Sequence, residues 1–318
     1  MTTTVYFATN RAVNNPREVP GSYTLNMIAP TEQLSYGTAF VDSADFPADN
    51  VGVIRSLQDF QKGNFSDAAR RDIGSGGRNI LVFIHGFANS FADAITRAGF
   101  NREWLARSGV AGADTTVIAF CWPSRGHVIE PPFPSFAYRS DQNSAGRSGS
   151  HLVRFLTTVS PLLQFARSEG LRTFLLAHSM GNWVLQAAME AWFAHGGAGP
   201  IELFDEALLA AADEEHTSFG RGPTGRLSTL SRLARRISIY HSTGDQVLDH
   251  LSETINLFVQ RLGQRGPSGY PDAGRFPPAT YRVVDCSGFT DYQRTFQATH
   301  QYYRRSEGVR ADIASVMA

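Results

Sequence analysis

Three stretches of this chain are apolar without alternation, and the rest of the pattern is arranged around them. Asn79–Ile84, Thr115 to Phe120 and Thr173 to Ala177 read Asn-Ile-Leu-Val-Phe-Ile, Thr-Thr-Val-Ile-Ala-Phe and Thr-Phe-Leu-Leu-Ala. A strand with one wet face alternates apolar and polar residues, whereas a continuous run of this length suits a strand covered on both faces. Further strands are expected at Val5 to Thr9, Ala39 to Asp42, Val51 to Leu57, Glu202 to Ala210, Ile237 to Tyr240 and Tyr281 to Val284. Between them apolar residues return at helical spacing. Phe91, Ala94, Ile95 and Ala98 follow a Ser90/Asp93 capping pair, and Leu152, Phe155, Leu156, Val159, Leu163 and Ala166 form a second stripe with a kink expected at Pro161. Val184, Ala187, Ala188 and Ala191 form a third. A basic helix is expected over Leu227 to Arg236, another from Ser242 through Leu257, and a closing one over Ala311 to Met317.

Two segments lack a clean period and read as loops. Asp67 to Gly77 is polar and ends in Gly74-Ser75-Gly76-Gly77. Arg125 to Arg147 carries Pro131, Pro132 and Pro134 beside Phe133, Phe136 and Tyr138, and a long aromatic excursion between a strand and a helix is more often functional than filler. It is read as a lid or pocket wall, with a surface loop packed on the core as the alternative. Strands alternating with helices imply an α/β fold, a doubly wound and mostly parallel sheet with an antiparallel N-terminal edge. The expected organisation is one domain over residues 1–318, with the edge in residues 1–60 and the lid or pocket loop in 125–147.

The candidate chemistry sits where the strand Thr173 to Ala177 meets the helix that follows. There the sequence reads Ala177-His178-Ser179-Met180-Gly181, a serine between small residues two before and two after it. A nucleophile elbow needs those small residues, because strand and helix approach closely on either side of a strained serine. Alanine replaces the usual first glycine. The plain alternative is a helix N-cap at Ser179 closing a buried strand.

Serine is a weak nucleophile unless a base lies within hydrogen-bond reach and a carboxylate orients that base. In an α/β hydrolase the acid and then the histidine follow the serine along the chain. Asp245 lies just beyond the strand ending at Tyr240, and His300 beyond the last strand, so the order is met. Asp213, at the end of the preceding strand, is the rival acid. His178 adjoins the nucleophile and should point away from its base site, His85 is expected to brace its own loop, and His241 and His250 read as ordinary polar residues. Backbone N–H groups of Phe87 and Met180 are the candidate oxyanion donors. His85, Trp122, Phe133, Phe136 and Tyr138 are candidate pocket residues.

Composition narrows the partners. Lys plus Arg and Asp plus Glu each number 29, so there is no net field to draw nucleic acid or an anionic membrane surface. Arg221, Arg226, Arg232, Arg235 and Arg236 read as a solvated face. No stretch reaches the roughly 18 apolar residues of a spanning helix, and the N-terminus lacks a basic start followed by an apolar run. A cytoplasmic location is therefore expected, with a secreted mature form as the alternative. Cys121 and Cys286 read as reduced, buried thiols. No phosphate loop, dinucleotide fingerprint or metal-ligand spacing occurs, so no cofactor or metal is expected.

Thr9-Asn10-Arg11, Phe83-Ile84-His85-Gly86-Phe87, Trp122-Pro123-Ser124, Ala177-His178-Ser179-Met180-Gly181-Asn182, Tyr240-His241-Ser242 with Asp245, and His300-Gln301-Tyr302 together resemble the bacterial α/β-hydrolase family of unknown function. The resemblance runs nearly end to end, and such sequences share the alanine in the elbow. It implies the hydrolase fold, with Ser179 as nucleophile, Asp245 as acid and His300 as base, and it implies no substrate. The expected activity is cleavage of a small-molecule carboxylic ester through an acyl-enzyme. Acyl transfer, thioester or amide cleavage, and a non-catalytic binding role are the alternatives. Oligomeric state is not legible.

Overall fold

A computed structural model describes residues 2–42, 52–62, 64–127, 135–193, 201–220 and 225–318. The strands are β1 (Thr2–Thr9), β2 (Arg11–Val13), β3 (Tyr23–Met27), β4 (Ser35–Asp42), β5 (Val53–Lys62), β6 (Asn79–Ile84), β7 (Thr115–Cys121), β8 (Thr173–His178), β9 (Phe204–Ala210), β10 (Ala234–His241) and β11 (Tyr281–Asp285). Nine of them make one sheet in the order β11-β10-β9-β8-β6-β7-β1-β4-β5, and β2 and β3 pair separately. From β11 to β1 every pairing is parallel, while β4 and β5 are antiparallel to their neighbours. The antiparallel edge is thus β4 and β5. β1, expected to belong to that edge, is the hinge between the two regimes, parallel to β7 and antiparallel to β4.

The unbroken apolar runs are explained by burial on both faces. In β6, Ile80, Val82 and Ile84 enter one core with Leu175, Ala177, Leu209 and the inner faces of α4 (Gly149–Ser168) and α5 (Gly181–Phe193). Leu81 and Phe83 enter the other core, with Val117, Leu176, Leu208 and the inner face of α2 (Phe91–Ala106). Burying a side chain of this kind contributes about 1.5–3 kcal/mol, so the central strands dominate the stability. α2 opens with the expected cap: Ser90 accepts from the Asp93 N–H, and Asp93 accepts from the Ser90 N–H.

Three local expectations are corrected. Asp67–Ser75 is a helix, α1, capped by Ser66 and buried through Ala69 and Ile73 against α4; the terminal glycines hid a short amphipathic turn sequence. Residues Ser135–Arg147, expected to lack structure, form helix α3, while residues 128–134, including Phe133, lie outside the described residues. Leu227 to Arg236 holds only a 3-10 turn at Leu230–Arg232 before β10 begins, because Ala234 pairs with Phe204 and draws the chain into the sheet. Its arginines are partly engaged: Arg235 pairs with Glu202 and Asp205, and Arg232 lies over the Phe193 ring. Among the described residues no helix is long and apolar enough to cross a membrane.

Candidate active site

β8 runs into α5 through a single strained residue. Ser179 has a φ of 53°, a left-handed conformation that a residue with a Cβ adopts only when its surroundings hold it. Its N–H donates to the Ala210 carbonyl at 3.0 Å. The Asn182 side-chain amide donates to the carbonyls of Ala177 and Ser179 at 3.1 and 3.0 Å. Gly181 is required by close approach: a Cβ there would lie 2.6 Å from the Ile84 carbonyl oxygen and 2.7 Å from that of His85.

Two later loops meet this turn. Asp245, past the end of β10, is fully buried and accepts from the Leu248 N–H at 3.1 Å. His300 sits between the short helices Phe296–Thr299 and Tyr302–Arg305. Its Nδ1 is 2.7 Å from Asp245 Oδ2, and its Nε2 is 2.7 Å from Ser179 Oγ. A carboxylate only accepts, so Nδ1 carries the proton; in the neutral ring Nε2 is then the acceptor for the serine hydroxyl. Burial raises Asp245 above the usual carboxylate range, and the charge and hydrogen bond of His300 oppose that shift.

Asp213, the rival acid, is committed elsewhere. It accepts from Tyr138 Oη at 2.7 Å and from the Ser252 hydroxyl, and the buried Arg261 guanidinium lies 3.7 Å away. The structure therefore brings Asp245 and not Asp213 to His300. His178 is a brace: its Nε2 lies 3.2 Å from the His300 carbonyl, and burial holds its pKa well below the usual histidine range, leaving a neutral ring that donates there. His241 is half-buried and His250 lies on the surface.

Ser179 opens onto a cleft of about 500 Å³. Phe87, Val247, Leu251 and Phe296 give it an apolar side, and His127, Gln297 and Gln301 a polar one. The N–H groups of Phe87 and Met180 have no acceptor among the described residues. The loop carrying Phe87 lies directly against the serine, since a Cβ on Gly86 would come within 2.7 Å of Ser179 Cβ. Gly86→Ala is accordingly expected to lower stability by about 1–3 kcal/mol and to displace the serine, with both losses read by thermal unfolding and ester turnover.

Four residues expected to wall this cleft do not line it. His85 and Trp122 are buried, their rings stacked at 5.0 Å, with Trp122 Nε1 donating to the His85 carbonyl at 2.8 Å. Burial pushes His85 down to about 3, and its neutral ring donates from Nδ1 to the Gly86 carbonyl at 3.0 Å, so it braces its own loop as expected. Tyr138 is buried behind Phe87, ring edge against ring at 5.5 Å. Phe136 is half exposed beneath the Arg125 guanidinium. No group of three or more metal-ligating side chains occurs among the described residues.

A family model described as an alpha/beta hydrolase of unknown function (DUF900) matches residues 63–315. The chain belongs to this family. No curated protein matches it significantly. In this α/β hydrolase the candidate residues stand on the loops at the carboxyl ends of the parallel strands, where open α/β sheets place their ligands.

One set of residues escaped the sequence reading. Thr9-Asn10-Arg11 and Pro123-Ser124 helped to carry the resemblance without being given any chemistry. Arg11 Nη2 donates to the carbonyls of Asn89 and Ser124 at 3.1 and 3.0 Å, tying the ends of β1, β6 and β7 together beneath the Phe87 loop. The available signal was an arginine at the start of β2, with only Asn10 between it and the end of β1.

Proposed function

We propose that this α/β hydrolase cleaves carboxylic esters through an acyl-enzyme on Ser179. We further propose that the whole chain works as one hydrolase domain, since a single sheet runs from β5 to β11. The observation that carries the reading is the unbroken relay from Ser179 Oγ to His300 to Asp245, each step 2.7 Å, at the mouth of a cleft.

His300 Nε2 takes the hydroxyl proton as Ser179 Oγ attacks the ester carbonyl carbon. The resulting imidazolium is stabilised by the Asp245 carboxylate, and the tetrahedral oxygen is received by the N–H groups of Phe87 and Met180. Collapse expels the alcohol, which leaves with the proton returned by His300. Water then repeats the sequence on the acyl-enzyme: His300 removes its proton, the acid departs and Ser179 regains its hydroxyl. No cofactor enters these steps.

The apolar side of the cleft suits a short or medium acyl chain. In a series of p-nitrophenyl esters from acetate to palmitate, turnover is expected to be highest at butyrate to octanoate and to fall at palmitate. Absence of turnover across the whole series would remove the esterase reading and favour a binding role for the cleft.

A further inference from the structure

The hydrogen bonds on the loop after β6 fix the direction of one N–H. Asn89 is fully buried, and its side-chain amide donates to the carbonyls of Gly86 and Phe87 at 2.9 and 2.7 Å. Its own N–H donates to Ser124 Oγ at 3.0 Å. Asp141, reaching in from α3 and 1% exposed, accepts from the Ser124 hydroxyl at 2.5 Å, the Ala88 N–H at 3.3 Å and the Arg125 N–H at 3.1 Å.

In a planar trans peptide the C=O and N–H point in opposite directions. The Gly86 carbonyl accepts from Asn89 and, at 3.0 Å, from His85 Nδ1, so the N–H of the same peptide, that of Phe87, faces away from Asn89. The next peptide is held at both ends, its Phe87 carbonyl by Asn89 and its Ala88 N–H by Asp141. Ala88 has a φ of 57°, a conformation an alanine keeps only under such restraint. Neither Asn89 nor Asp141 is among the described residues that line the cleft.

We propose that Asn89 and Asp141 are positioning residues that aim the Phe87 N–H at the developing oxyanion. The proposal rests on the esterase reading. An unclamped loop can rotate the Gly86–Phe87 peptide and lose a donor; in other enzymes removal of one such donor costs about 10²–10³ in kcat.

The test compares the full-length wild type with Asn89→Asp and Asp141→Asn, both nearly isosteric. Kinetics with p-nitrophenyl butyrate are measured beside inhibition by an alkyl trifluoromethyl ketone, whose serine adduct carries an oxyanion, and thermal unfolding is followed in parallel. In each folded variant kcat is expected to fall by about 10–100-fold, less than for outright removal of a donor, with KM within about threefold. Affinity for the ketone should weaken by the same factor as kcat/KM, a correspondence that mere loosening of the fold would not produce. If only one variant folds, that variant decides.

Folded variants with wild-type kcat and ketone affinity would overturn the positioning role while leaving the esterase reading intact. So would a fall in kcat with ketone affinity unchanged, or failure of both variants to fold, which would make the pair structural. A wild type that neither turns over esters nor binds the ketone would overturn the esterase reading itself and this proposal with it.

Discussion

Ser179→Ala is expected to fold as the wild type does and to lose ester turnover by about 10⁴–10⁶-fold, as loss of a serine nucleophile does elsewhere. The fold should survive because the serine side chain makes its one described hydrogen bond to His300 Nε2, which faces the open cleft and gains water in exchange. Alanine also carries the Cβ that the left-handed turn already accommodates, so the stability change should stay within about 1 kcal/mol. Circular dichroism and thermal unfolding check the first expectation, and burst-free kinetics at high enzyme concentration the second. A variant that kept a tenth of the activity would place the nucleophile elsewhere.

Asp245→Asn should cost about 10⁴-fold in kcat while leaving the geometry nearly intact. The amide can donate to Nδ1, which favours the tautomer with its proton on Nε2, and that nitrogen can then no longer accept from Ser179. Asp213→Asn is the matched control. Its carboxylate is the ionic partner of Arg261, which is 1% exposed, so the substitution is expected to lower stability by about 3 kcal/mol while kcat/KM stays within about tenfold. Denaturant unfolding and steady-state kinetics on the pair separate the two roles. A larger kinetic loss at Asp213 than at Asp245 would reverse the assignment.

What the sequence displayed and what it concealed differ in physical kind. β6 to β8 were legible because strands covered on both faces must be apolar throughout, and the start of α2 because Ser90 and Asp93 answer each other across one turn. α3 was hidden. Its buried face is Ala137, Tyr138, Asp141 and Ala145, so half of what it turns inward is polar and satisfied by partners far away in the chain. No periodicity scale records a carboxylate that is buried because Ser124, Arg125 and Ala88 donate to it.

The same contrast holds at the site. Ser179 announces itself through local constraint, a serine between residues small enough for a sharp turn. Asp245 and His300 follow from their places at strand ends; Asp213 ends a strand too and was the rival acid, and the structure brings Asp245 to His300 and Asp213 to Tyr138. The pocket misled the reading because aromatic residues near a site are as readily its foundation as its wall: Trp122 and Tyr138 are buried beneath the loop that carries Phe87.

The most direct test of the account is covalent labelling by a fluorophosphonate followed by peptide mapping. The reagent needs an activated serine beside an oxyanion hole, and it needs no knowledge of the natural ester. The account predicts a single adduct on Ser179, absent from Ser179→Ala and strongly slowed in Asp245→Asn. No adduct at all, or an adduct on another serine, would contradict it.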